Sequence, residues 1–218
     1  MKIKSLVLLS GGLDSSVNLY QAHRDTEVIL ALTFDYGQRA ARKEIESARA
    51  LCAGLGITHQ VVELPWFKVF SRSSLTDANQ PVPQGSEVSI DDLKTSEQTA
   101  EKVWVPNRNG ILLNIAAGFA EGLGAEVVIP GFNSEEAATF PDNTREFLQA
   151  LDHSFSFSTA RGVKTKCFTV DLSKTEIVRL GKDLKVPFDR LWPCYHAGDS
   201  WCGECESCQR FQRAVKEA

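Results

Sequence analysis

Ser10-Gly11-Gly12-Leu13-Asp14-Ser15 stands between a short apolar run, Leu6-Val7-Leu8-Leu9, and a stretch of helical character at 15–24. A strand, a glycine turn and a helix in that order leave a chain few options. Two glycines let the backbone turn tightly and bring N–H groups close to an anion. The helix adds partial positive charge at its N-terminus. Ser10, Ser15 and Ser16 add hydroxyl donors, so the segment reads as a cradle for pyrophosphate oxygens. A glycine turn capped by serines would use the same letters; the position after the first strand favours the nucleotide. No Gly-Lys-Ser/Thr follows, so this is not a Walker loop, and the G-x-G-x-x-G spacing of dinucleotide-binding turns is absent. Without a Walker lysine, chemistry at the α-phosphate of ATP fits best, with pyrophosphate leaving as a unit. Asp14 could ligand the Mg²⁺ that travels with ATP.

Hydrophobic patterning places this loop in an α/β chain. Strands are expected at 4–9, 27–34 and 59–64, with helices at 15–24 and 39–55 between them. That β-α-β-α-β order implies a doubly wound, mostly parallel sheet with right-handed crossovers. Residues 71–101 are rich in Ser, Thr, Asp, Gln and Pro and read as a polar insertion, with a lid as one role such a length allows. The pattern resumes with a helix at 109–121, a strand at 126–129, a helix at 143–155 and a strand at 167–172. Ser173-Lys174-Thr175-Glu176 forms a capping box that opens a helix to 184. A last short helix is expected at 207–216. Two units follow, 1–187 for nucleotide binding and 188–218 for a small C-terminal subdomain.

The chain has 218 residues, 43% of them hydrophobic, and a formal charge of -4. That balance suits an ordinary soluble domain and argues against a stable nucleic-acid partner, which would call for a basic surface. No run is long and apolar enough for a membrane span or a signal-peptide core, so a cytoplasmic protein is expected. Of six cysteines, Cys194, Cys202, Cys205 and Cys208 fall within fifteen residues. In a reducing compartment such a cluster favours metal over disulfides. Four thiolates suit tetrahedral Zn²⁺, closed to water and therefore structural; an iron–sulfur cluster is the rival, without other signs of redox work. Cys52 and Cys167 stand alone and read as core residues.

The loop string resembles the PP-loop (SGGxDS) ATP pyrophosphatases. Joined to the Cys-x-x-Cys-x-x-Cys tail, it resembles the 7-cyano-7-deazaguanine synthase family over essentially the whole chain. Phe34-Asp35-Tyr36-Gly37-Gln38-Arg39, Val105-Pro106-Asn107-Arg108-Asn109, Gly131, Phe140-Pro141-Asp142 and Cys194-Tyr195 match as well. The chain departs from that family at Ala40, Asn143, Thr144 and Pro193. The resemblance implies a PP-loop, Rossmann-like fold and a homodimer. It implies a reaction in which ATP, ammonia and 7-carboxy-7-deazaguanine give the nitrile through an adenylate, an amide and a second ATP-driven dehydration. On this reading Asp14, Ser10 and Arg108 are the catalytic candidates. The ATP-contacting set is Leu8, Leu9, Ser10, Gly11, Gly12, Leu13, Asp14, Ser15, Ser16, Val17 and Asn18; Gln38 and Arg39 either join it or form a solvated helix start.

Asn107, Arg108, Asn109 and Asp142 are the candidates for binding the acid. Arg108 could neutralise charge growing on phosphate or carboxylate, or sit in a helix-start salt bridge. Asn107 and Asn109 could cap that helix instead. Asp142 could grip the guanine-like edge or start a turn after Pro141. Tyr36 or Phe140 could stack on the heterocycle, or belong to the core as aromatics beside strand ends. No glutaminase module is expected in these residues, so ammonia is expected from solution or a separate protein. Rival readings are a sibling synthetase stopping at the amide or using another acid, a PP-loop tRNA-modifying enzyme, and a zinc-ribbon nucleic-acid module. The net charge and the acidic Glu204 and Glu206 among the cysteines weigh against the last two.

Overall fold

The computed structural model describes residues 2–218, apart from the side chain of Leu93. Five strands, β1 (Lys4–Leu8), β2 (Glu27–Asp35), β3 (His59–Glu63), β4 (Val127–Ile129) and β5 (Lys164–Thr165), form one sheet in the order β3-β2-β1-β4-β5. Every pairing is parallel. Nine helices accompany them among the described residues: α1 (Leu13–Asp25), α2 (Ala41–Leu55), α3 (Phe67–Phe70), α4 (Leu93–Val103), α5 (Arg108–Leu123), α6 (Ser134–Ala137), α7 (Arg145–Ser158), α8 (Lys174–Asp183) and α9 (Glu206–Glu217).

Strand alternation splits the core into two layers. In β1, Leu6 points to the layer built with Leu113, Ala116 and Ala117 of α5 and with Leu151 and Phe155 of α7. Val7 points to the opposite layer, with Val17 of α1, Leu51 of α2, Ile177 of α8 and Phe211 of α9. Helices cover both faces, as expected for a sheet whose strands read as continuous apolar runs. The chain steps outward from β1 to β3 and then returns to the other side of β1 for β4. The crevice where direction reverses lies beyond the C-terminal ends of β1 and β4, the place where open α/β sheets bind ligands.

Two expectations need correction. The apolar run 167–172 is not a strand. The ladder runs through β5, where the Lys164 and Lys166 N–H groups donate to the carbonyls of Glu126 and Val128, and the chain then leaves the sheet. Side chains satisfy the later segment instead: Asn18 Oδ1 accepts from the Phe168 N–H at 2.8 Å, and Thr169 Oγ1 donates to the Phe132 carbonyl at 2.6 Å. Nor is 71–101 one irregular insertion. Its second half enters α4, opened by Asp92, whose side chain accepts from the Lys94 N–H. The first half is bonded to distant chain: Arg39 donates to the carbonyls of Ser74, Asp77 and Gln80, and Gln84 bridges to Cys205. These bonds join residues far apart in sequence, so local patterning cannot reveal them. The capping box at Ser173 and Glu176 is formed in full. Among the described residues no helix is long and apolar enough to cross a membrane.

Candidate active site

The loop after β1 is held by its own hydroxyls. Ser10 and Ser15 Oγ lie 2.9 Å apart, Ser15 Oγ accepts the Ser10 N–H at 3.2 Å, and Ser16 Oγ donates to the Gly12 carbonyl at 2.6 Å. α1 starts after Gly12 without a side-chain cap, which leaves first-turn N–H groups available to an anion. Gly11 has φ +76°, and a Cβ there would lie 2.6 Å from Ser47 Oγ, so only glycine fits. A Cβ on Gly131, just beyond β4, would lie 2.4 Å from the Ser15 nitrogen; its absence lets the two loops touch.

Below the loop lies a buried charge cluster. Lys174, at the first position of α8, pairs with Asp14 at 2.5 Å and with Glu136 of α6 at 2.7 Å. Asn133 donates to the same Asp14 oxygen, Oδ2, at 3.3 Å. The other oxygen, Asp14 Oδ1, is buried without a partner. Burial pushes the Asp14 carboxyl up to about 6, with the Lys174 charge pulling the other way. Lys174 shows the reverse balance: burial favours its neutral form, but Asp14 and Glu136 more than offset this and hold it above the ordinary lysine range.

The cluster and loop form one end of a cavity of about 250 Å³. At the other end, Arg108 donates to Asn109 Oδ1 at 3.2 Å and to the Tyr36 hydroxyl at 3.4 Å. Asn109 donates in turn to the Asp142 carbonyl at 3.4 Å. Burial raises the Asp142 carboxyl and Arg108 opposes it. The rings of Trp104 and Phe140 stack at 6.0 Å and 6° on the wall.

Leu8, Leu9, Ser10, Gly12, Leu13, Asp14, Ser15, Arg108, Asn109 and Asp142 therefore border one space. Other candidates face elsewhere. Val17 is fully buried in the core, and Asn18 is spent on Thr169 and the Phe168 N–H. Gly11 and Ser16 shape the loop from behind through their backbone and Oγ bonds. Gln38 is buried against Tyr36, Phe34 and Glu44, and Arg39 clasps the 74–80 carbonyls. Asn107 takes a left-handed turn (φ 51°) into α5 and makes no side-chain cap.

The sulfurs of Cys194, Cys202, Cys205 and Cys208 lie within 4.8 Å of one another, a set that could hold a metal ion such as zinc. Cys202 and Cys208 Sγ are 3.9 Å apart, close to the edge of about 3.8 Å that a tetrahedron of Zn–S bonds requires. Cys194 Sγ accepts N–H groups from His196 and Cys202, each at 3.4 Å, and Cys202 Sγ accepts one from Cys205 at 3.3 Å. Two residues before Cys194, the Trp192 N–H donates to the Gly11 carbonyl at 2.9 Å, tying the cysteine tail to the Ser10–Ser15 loop.

A family model described as queuosine biosynthesis protein QueC matches residues 4–218. The chain belongs to the QueC family. The 7-cyano-7-deazaguanine synthase of Bdellovibrio bacteriovorus is 59% identical over 216 residues, covering 99% of this chain and 94% of that one. The synthase of Carboxydothermus hydrogenoformans is 48% identical, covering 97% of each. Among solved structures, NMN synthetase from Francisella tularensis matches with a TM-score of 0.51 at 19% identity, covering 95% of this chain and 72% of that one. At that identity the likeness concerns the fold.

In this QueC-family chain, Lys174, Glu136 and Glu44 also line the cavity, and sequence reading did not propose them. For Lys174 a signal existed. The capping box places a lysine at the first position of a helix, the end where a cation is disfavoured, and only nearby carboxylates make that tolerable. Glu136 and Glu44 carry no local mark; they join the cavity through the packing of α6 and α2.

Proposed function

We propose that the chain converts 7-carboxy-7-deazaguanine, ammonia and ATP into 7-cyano-7-deazaguanine, releasing AMP and diphosphate at each of two activations. The observation that carries this is the 59% identity to a protein named for that synthase along 99% of the chain. A carboxylate is a poor electrophile, and adenylation supplies a leaving group. Ammonia then gives the amide, and a second activation of the amide oxygen allows loss of water.

The cavity supports these steps. First-turn N–H groups of α1 and the hydroxyls of Ser10 and Ser15 would hold the pyrophosphate. The unpartnered Asp14 oxygen suits Mg²⁺, which when bound supplies charge neutralisation to the phosphates. Lys174 stabilises charge developing near Asp14, and Arg108 draws the acid's carboxylate toward it. Asn109 and Asp142 offer polar groups to the guanine-like edge. Zinc on the four cysteines would be structural, holding Trp192 against Gly11. The protein works in the cytoplasm as a homodimer.

Mass analysis after incubation with 7-carboxy-7-deazaguanine, ammonium and ATP tests the reading. Nitrile with AMP is expected. Amide alone would favour a sibling synthetase, and ADP without AMP would overturn the adenylation chemistry.

A further inference from the structure

Four carboxylates border the cavity among the described residues: Asp14, Glu44, Glu136 and Asp142. Three have evident assignments. Asp14 and Glu136 share Lys174 at 2.5 and 2.7 Å, and Asp142 accepts from Asn143 at 3.1 Å with Arg108 offsetting its charge. Glu44 is different. It projects from the first turn of α2, and its Oε2 accepts one neutral donor, the Gln38 amide, at 2.8 Å. No ion pair within 4 Å forms at Glu44 among the described residues, and no protein donor reaches its Oε1. The titratable groups facing it are Arg108 on α5 and Asp35 and Tyr36 at the end of β2.

A carboxylate on a cavity wall with one free oxygen, and no ion pair within 4 Å among the described residues, is a site for a small cation that donates protons. We propose that Glu44 binds ammonium in this cavity and takes its proton, delivering neutral ammonia to the activated acid. The proposal rests on the functional reading above. In the step, an N–H bond of ammonium breaks and an O–H bond forms on Glu44. The freed nitrogen lone pair attacks the acyl carbon of the adenylate, a C–N bond forms, and the C–O bond to phosphate breaks. The electron pair and the second proton leave with AMP, and Glu44 returns its proton to solvent. Burial pushes the Glu44 carboxyl up to about 7, with Gln38 and Arg108 opposing, which matches its proton affinity to a neutral medium. Gln38 holds the side chain in place; it is a positioning residue.

The test uses two nucleophiles on the full-length, metal-loaded protein at pH 7. Ammonium must lose a proton before it can attack, whereas hydroxylamine is already neutral. Glu44→Gln keeps the size and the Gln38 contact but cannot take a proton. Its ammonium-dependent AMP release is expected to fall about 100-fold, while the hydroxylamine-dependent rate, read as hydroxamate, falls less than about fivefold. Its ammonium rate should also climb with pH as free ammonia increases. If Glu44→Gln melts below the assay temperature, Glu44→Asp serves, with an expected loss of about tenfold for ammonium and little for hydroxylamine. Equal losses with both nucleophiles, or an unchanged ammonium rate, would overturn the role of Glu44. If the unsubstituted protein makes no acid-dependent AMP with either nucleophile, the functional reading itself fails and the role goes with it.

Discussion

The two ends of the cavity use similar polar groups but assemble them differently. At the end proposed to hold phosphate, the donors lie in one stretch from Ser10 to Ser15, at a β1–α1 junction whose hydroxyls brace one another. At the other end, Tyr36, Arg108 and Asp142 come from three separate segments, linked by bonds of 3.2 to 3.4 Å. A contiguous loop needs only local geometry to be correct. A converging site needs the whole sheet and its helices in register. The difference implies that the Ser10–Ser15 end tolerates change in the surrounding fold and little in its own residues, while the Arg108 end, proposed to bind the acid, depends on packing supplied from elsewhere.

Substitutions can break or sharpen this contrast. The largest effect is expected for Asp14→Ala: AMP release should drop at least about 1000-fold with the far-ultraviolet circular dichroism unchanged, since Lys174 keeps Glu136 as partner. Loss of the fold would mean that the loop is not locally self-sufficient. Next is Cys205→Ser, measured by zinc content and thermal melting. Metal should be lost and the midpoint should fall by about 10 °C. An active, metal-free, equally stable variant would contradict the structural role. Arg108→Lys keeps the charge but loses the fork. With about 2 kcal/mol withdrawn, kcat/KM for the acid should fall about 30-fold, with the KM for ATP nearly unchanged. A matching rise in the KM for ATP would erase the division between the two ends.

The smallest effect concerns stability and pH. The Glu44 carboxyl is pushed up from 4.5 to about 7 on folding, chiefly by burial. The folded chain therefore holds this proton more tightly than the unfolded chain, and stability declines as pH rises through that interval. Glu44→Gln removes the cost of the buried charge. Its melting midpoint should exceed that of the unsubstituted protein by about 2 °C at pH 8, and the gap should close below pH 4.5. A gap independent of pH would show that Glu44 acts on stability through packing and not through its charge.

Much of the fold was legible in the sequence because its determinants are local. Apolar runs marked β1, β2 and β3, helical spacing marked α1 and α2, and the capping box marked the start of α8. Failures came where distant bonds decide conformation. Residues 167–172 look like a strand, but Asn18 and Thr169 satisfy that backbone and draw it out of the ladder. The 71–101 stretch looks featureless, yet Arg39 and the cysteine tail organise it.

By itself the sequence determined the Ser10–Ser15 turn between strand and helix and the cysteine quartet, because both consist of residues close along the chain whose spacing is their geometry. Tertiary structure decided the rest of the site. Lys174 reaches Asp14 from 160 residues away, and Glu44 and Arg108 meet the same cavity from helices on opposite layers of the sheet. Such pairings arise from burial: a charged side chain enclosed in a low-dielectric interior must find its partner across the fold, and chain order carries no record of which partner that is.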